Sequence, residues 1–257
     1  MKMEINHALI DGGSVSVLLR DVAAAYGNQL AQSPGPQFSD YIRHLRSLPP
    51  QESTAYWAKY LEGVQRCQLP ASPGLGGSSR KLRSLKIGFD RFDELQALCR
   101  QESITFANLI LAVWALVLRS LTSQDDVCFG YLSAGRDAPV TDIQDAVGVF
   151  INMICCRVRF SPRQSFVDTF KRVQNDHFDS LPHQNYSLAQ IQNQLGLSKM
   201  LFNTTLSIQN QMPSDGAVTD ALSFEVLEVY DPSEVIIIIP DVVEAKSPSL
   251  TTFTSFH

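Results

Sequence analysis

The 257-residue chain is 44% hydrophobic, enough to bury a substantial core as one large domain or two smaller lobes. Its 21 basic and 26 acidic residues give a formal net charge of -5, and no basic cluster interleaves with aromatics, which argues against nucleic acid as a partner. The longest apolar stretch, residues 109–118, stops at Arg119 and is too short to cross a bilayer, and the N-terminus lacks a charged start and apolar run; a cytoplasmic protein without a membrane partner is expected.

The chain opens on Asn6-His7-Ala8-Leu9-Ile10-Asp11-Gly12-Gly13. Histidine titrates nearest neutrality, so His7 can take a proton from an amine, hydroxyl or thiol and return it. Asp11 can orient that imidazole, or pair with an arginine and lock the loop. By itself this spacing is a weak signal. Residues 14–26 then place Leu18, Leu19, Val22, Ala25 and Tyr26 on one side of a helix, which puts His7 and Asp11 on a strand-to-helix connection. A second helix is expected after Ser39, with Tyr41, Leu45 and Leu48 on one stripe and Pro49-Pro50 ending it. A third, from about Ser53, carries Tyr56, Trp57, Tyr60, Leu61 and Val64, and residues 70–79, rich in Gly, Pro and Ser, form the best linker candidate.

Beyond the linker, strands and helices alternate. Leu85, Ile87 and Phe89 alternate as in a strand; Phe92, Leu95 and Cys99 mark an amphipathic helix; residues 105–120 are apolar almost all round, which predicts a buried helix with Trp114 in the core. Asp125-Asp126 reads as a solvated turn before a core strand at 127–132, and a second core strand is expected at 149–160 after the Gly135-Arg136-Asp137 loop. Phe166, Phe170 and Val173 mark another helix, on which His177 reads as a packed or surface histidine. Strand-like runs follow near residues 202–208, 222–229 and 235–239, the last an isoleucine run that is an aggregation hazard if it lacks a sheet partner. Cys67, Cys99, Cys128, Cys155 and Cys156 form no CxxC pair and read as buried thiols, and neither a phosphate-binding glycine loop nor a clustered metal-ligand set is present. The pattern is that of an α/β chain with a mixed sheet and flanking helices.

Several strings in this order resemble the condensation domains of nonribosomal peptide synthetases, which share the chloramphenicol acetyltransferase-like fold. Asn6 to Gly12 resembles the family's HHxxxDG, Phe38-Ser39-Asp40-Tyr41 its aromatic-x-Asp-aromatic helix, and Tyr56-Trp57 with Tyr60-Leu61 its YW and YL pairs. Gly135-Arg136 and residues 147–152, Val-Gly-Val-Phe-Ile-Asn, resemble its GR and (I/V)GxFVN strings. His183-Gln184-Asn185-Tyr186 resembles HQxYP with Ser187 in place of proline, and Leu201-Phe202-Asn203-Thr204 and Tyr230-Asp231-Pro232-Ser233-Glu234 complete the series in a style closest to fungal synthetases.

The resemblance implies two similar lobes around a tunnel, carrier proteins as partners with adenylation domains beside them, and substrates held as thioesters on the carriers' phosphopantetheine arms, with no cofactor or metal bound directly. It makes His7 the base for the attacking amine and gives Asp11 a loop-holding salt bridge, to Arg136 or to an arginine outside this sequence. Gly12 presents its N–H to the oxyanion, and Asn152 lines the tunnel. Asn6 stands where the family has its first, structural histidine, and His183 is expected to shape a loop. The division expected is a first-lobe remnant with the HxxxDG loop at 1–66, a linker at 67–82, the second lobe at 83–240 and a divergent tail at 241–257. Two functions follow: amide or ring-closing condensation in secondary metabolism, or a truncated, non-catalytic remnant that at most binds a carrier. A plant-type acyl-CoA transferase, which shares HxxxD, is disfavoured because its DFGWG string does not occur.

Overall fold

The computed structural model describes residues 3–6, 8–69, 83–88, 91–196, 200–208, 236–240 and 249–254, with 83–88, 236–240 and 249–254 described as backbone strands. His7, residues 70–82 and the run 222–229 lie outside the described residues. In chain order the elements are α1 (Gly12–Tyr26), α2 (Phe38–Ser47), α3 (Pro50–Tyr60), β1 (Arg83–Gly88), α4 (Phe92–Glu102), α5 (Phe106–Thr122), β2 (Asp126–Ser133), β3 (Asn152–Arg159), α6 (Phe166–Ser180), α7 (Leu188–Gln194), β4 (Thr205–Ile208), β5 (Ile236–Pro240) and β6 (Ser249–Thr254). Single turns of 3-10 helix stand at Ile143–Asp145 and Leu181–His183.

The strands form one mixed sheet in the order β1-β6-β5-β4-β2-β3. Gly130 of β2 is in register with Thr205 of the parallel β4, and Leu206 with Ile236 of the parallel β5. The antiparallel β6 sets Thr252 against Ile238 on one side and Leu85 on the other. The isoleucine run therefore has a sheet partner on each side, one of them within the Ser/Thr-rich segment for which no element was expected.

The described residues divide into two compact units that interleave along the chain. One holds those of Met1–Pro49 and Ser133–Asn152; the other holds those of Pro50–Leu132, Met153–Gln211 and Pro232–His257. The expected division was contiguous, whereas here residues 133–152 leave the strands on either side of them and join the N-terminal helices. The reason lies in their side chains. Ile143, Ala146 and Phe150 form a small core with Tyr41 of α2, and Phe150 sits 5.1 Å from Phe38 and 4.9 Å from Tyr41, ring centre to ring centre. Gly148 makes this approach possible, because a Cβ there would lie 2.2 Å from the Phe38 ring.

In the other unit the main core runs from Trp57 and Leu61 through Leu109, Leu118, Phe129 and Ile154, all at most 2% exposed. Five consecutive residues are buried in β2 and five in β3, as in strands covered on both faces. Helix α5 differs from expectation. It buries Leu109, Ala112, Ala115 and Leu118 on one face but leaves Val113, Val117 and Leu121 at 41%, 38% and 54% exposure. Trp114 is half-buried against the core.

Local chemistry sets the helix starts. Pro50, expected to help end α2, instead opens α3, since a first-turn proline gives up an N–H that has no helical partner. Ser165 accepts from the Asp168 N–H, and the Asp168 carboxylate accepts from Ser165 in return, a reciprocal cap for α6. Ser165→Ala is expected to lower stability by about 1 kcal/mol in urea unfolding; no measurable loss would mean that tertiary packing alone sets this end. Ser187, where the family has proline, caps α7 in the same reciprocal way with Gln190.

Candidate active site

The residues around the HxxxDG string are held by a buried polar node. Asp11, 2% exposed, caps α1: its Oδ1 accepts from the Ser14 N–H at 2.9 Å and the Ser14 hydroxyl at 2.8 Å. Arg136 Nη2 donates to the same oxygen at 3.0 Å, closing an ion pair, while Oδ2 accepts from the Phe150 N–H at 3.0 Å. The Asp11 N–H donates to the Gly148 carbonyl at 3.1 Å. Both carboxylate oxygens are thus engaged by described groups, which ties the start of α1 to Arg136 and Phe150.

Arg136 is 8% exposed, and both of its terminal nitrogens are committed. Nη1 donates to the Ile143 and Ala146 carbonyls, each at 2.9 Å, so the guanidinium satisfies carbonyls at the end of the 3-10 turn. Its plane lies 4.1 Å from the centre of the Phe150 ring, a cation–π contact. Gly13 gives it room: a Cβ there would come within 3.0 Å of Arg136 Nε.

Burial alone would raise the Asp11 pKa, but the Ser14 hydroxyl, the Phe150 and Ser14 N–H groups and Arg136 together hold it below the ordinary 3.8. A depressed folded pKa contributes stability that is full above the unfolded value and lost as the pH falls through the folded one. Urea midpoints are therefore expected to fall more steeply between pH 5 and pH 3 in the wild type than in Asp11→Asn, which has no carboxyl to protonate; parallel profiles would remove Asp11 from the acid response.

Asn6 is exposed and closes a turn: its Oδ1 accepts from the Ala8 N–H at 2.8 Å and its carbonyl from the Leu9 N–H at 2.9 Å. Gly12 begins α1 with open space where a Cβ would project. The Asn152 amide lies 3.4 Å from the Phe150 carbonyl and 3.5 Å from the Tyr41 hydroxyl. The structure thus brings Asp11 and Arg136 into direct contact and sets Asn152 beside Phe150, whose N–H meets Asp11. An open cleft of about 440 Å³ between α2 and residues 139–141 is lined by Asp40, Arg43, His44 and Val140, and by none of the expected site residues.

In the other unit, the YW and HQxY strings meet. The Trp57 indole donates to the His183 carbonyl at 3.1 Å, the His183 ring stacks on Tyr56 at 4.3 Å, and its Nδ1 lies 3.1 Å from the Ser53 hydroxyl. Burial pushes the His183 pKa down, favouring a neutral ring that packs. His177 lies 2.9 Å from the Tyr131 hydroxyl. Asp126 departs from expectation: no solvated turn residue, it receives two hydrogen bonds from the buried Arg157, at 2.9 and 2.6 Å. Arg157 also donates to the carbonyls of Tyr60 and Glu62. All five cysteines are free and buried, and burial pushes the Cys156 thiol up. Among the described residues no group of His, Cys, Asp and Glu is placed to hold a metal, and no single helix is long and apolar enough to cross a membrane.

Ser14, Gly148 and the Phe150 N–H were missed by sequence reasoning. Ser14 alone left a trace, since Asp-x-x-Ser at a helix start is the spacing at which an N-cap meets the third helical residue.

Comparison with solved structures defines the class. The condensation domain of the monacolin K polyketide synthase MokA superposes with a TM-score of 0.75 at 20% identity, over 97% of this chain and 62% of that one, which shows a shared condensation-domain fold. Residues 2–236 match the family model described as the condensation domain, and the chain belongs to that family. It is 53% identical over 235 residues to nonribosomal peptide synthetase 1 of Aspergillus fumigatus, and 52% identical over 237 residues to nonribosomal peptide synthetase nlsA of Emericella nidulans. These alignments take in 91% and 92% of the chain, which spans about 4% of the length of each relative.

Proposed function

We propose that the chain catalyses amide formation between a carrier-bound acyl or peptidyl thioester and an amine in nonribosomal peptide synthesis, with a cyclising nucleophile as the variant. The acceptor nitrogen attacks the thioester carbonyl, His7 takes the proton from that nitrogen, the tetrahedral oxyanion collapses, and the thiol of the phosphopantetheine arm leaves with a proton. Gly12 offers its N–H to the oxyanion, and Asn152 lines the path of the arm. Asp11, Arg136 and Asn6 hold the loop. The arms belong to carrier domains, with adenylation domains loading them, and the cytoplasm is the compartment in which such partners would meet it.

The observation that carries this reading is the buried Asp11, Ser14 and Arg136 node four residues after His7. A fixed loop is what the chemistry needs. Holding two thioester-bound partners in attacking geometry supplies roughly 7–11 kcal/mol of barrier reduction. A general base adds about 10²–10⁴ in rate.

The test incubates the chain with a donor carrier bearing a peptidyl thioester and an acceptor carrier bearing an aminoacyl thioester, and detects the lengthened product by mass spectrometry. Product that disappears with His7→Ala is the expected result. Carrier binding without product would overturn the catalytic reading in favour of a binding module.

A further inference from the structure

The Asp11–Arg136 ion pair is the evident lock of this loop, and the hydroxyl of Ser14 lies at the centre of the same node. Ser14 is fully buried, and its Oγ has four polar neighbours: Asp11 Oδ1 and the Gly148 carbonyl at 2.8 Å, and the Gly148 N–H and Arg136 Nη2 at 3.0 Å. Two are donors and two are acceptors. A hydroxyl has two lone pairs and one proton, so the donors fill the lone pairs and the acceptors share the proton. The atom is saturated.

From this we infer that Ser14 is a positioning residue for the proposed site: its hydroxyl, alongside the charge pair, sets loop 6–11 and the start of α1 against residues 147–150. A charge pair tolerates rotation and drift, since Coulomb energy falls slowly with distance. Oγ instead grips both the N–H and the carbonyl of one residue, Gly148, which fixes that backbone in two directions. Small residues make the approach possible. Gly13 admits Arg136 and Gly148 admits Phe38, so backbone meets backbone with only a serine hydroxyl between. Among the described residues, the Gly148 carbonyl also accepts from the Asp11 N–H, while the Gly148 N–H donates to Ser14 alone. Removing the hydroxyl strands that donor in a buried place.

The consequence for turnover rests on the reading above; the consequence for position does not. Hydrogen–deuterium exchange of the full chain separates them. In Ser14→Ala, exchange in residues 4–11 and 146–150 is expected to rise about ten- to a hundredfold, equivalent to about 1.4–2.8 kcal/mol at 1.4 kcal/mol per decade. Exchange in α5, β2 and β3 stays unchanged, and Ser14→Thr, which keeps the hydroxyl, stays near wild type. Should the alanine variant not fold, Ser14→Cys, similar in shape but a weak hydrogen-bonding group, takes its place with the same expected pattern. Unchanged exchange in residues 4–11, or a uniform rise across all segments, would overturn the inference. In the condensation test, Ser14→Ala lowers kcat about tenfold or more with KM for the loaded carriers unchanged. A wild type without turnover would sink the proposed function and leave the exchange result to decide this one.

Discussion

Arg136→Ala is expected to cost about 3–5 kcal/mol of stability, measured by urea unfolding at pH 7. The arginine neutralises a carboxylate that is 2% exposed, and its removal leaves that charge with neutral donors only. It also strands the Ala146 carbonyl and exposes the Phe150 ring on one side. Two companion variants apportion the loss. Arg136→Lys keeps the charge but replaces a planar fork by a point, and cannot reach Asp11, Ser14 and two carbonyls together; it is expected to recover only part of the loss. Adding Asp11→Asn to Arg136→Ala removes the stranded charge, so the double variant should be more stable than the two single losses added together. A loss below about 1 kcal/mol for Arg136→Ala, the value of an exposed pair, would show that the node does not hold its unit together.

Gly135→Ala is the second large effect, through the backbone alone. Gly135 has a φ of +63°, in the left-handed region where a Cβ costs about 1–2 kcal/mol. The added Cβ would also lie 1.9 Å from the Phe150 carbonyl oxygen and 2.9 Å from its carbon, so segment 148–152 must move. Forced overpacking of this kind typically costs about 1–3 kcal/mol. A total of about 2–5 kcal/mol is expected, together with loss of any activity that depends on Asp11, because Phe150 carries the N–H that Asp11 Oδ2 accepts from. Gly12→Ala is the control: open space surrounds that position, and its stability should be unchanged or slightly raised. Equal stability of Gly135→Ala and wild type would mean that the segment yields without cost.

The strings that carry the family resemblance were legible one by one, and the helices and strands near them follow hydrophobic spacing closely. Their grouping was not legible. HxxxDG, FSDY, GR and VGVFIN converge in one unit, whereas YW, YL, HQxY and LFNT lie in the other, and a contiguous division had cut across this. The failure has a physical source. The node is closed by the N–H groups of Gly148 and Phe150 and by backbone carbonyls, and a backbone group has no letter in the sequence. Gly148 signals only that something passes close by, without saying what. Pro50 misled because proline both ends and opens helices, and the position of the first turn decides which. Helix α5 misled in another way: its apolar residues run all round, but packing covers one face.

The interleaving of the two units has a consequence for synthesis. Asp11 and Arg136 are 125 residues apart, and the Phe150 N–H is 139 residues from the carboxylate that accepts from it. At roughly 5–20 residues per second, the ribosome takes on the order of 10 s to deliver the arginine after the aspartate has emerged. Through that interval α1 has its cap residue but not the partners that bury it, and α3 waits likewise for His183, 126 residues beyond the Trp57 indole that donates to its carbonyl. The loop that carries Asp11 is made long before the residues that finish it. Conditions that slow synthesis or hold back residues 133–152 should lower the yield of correctly closed loop.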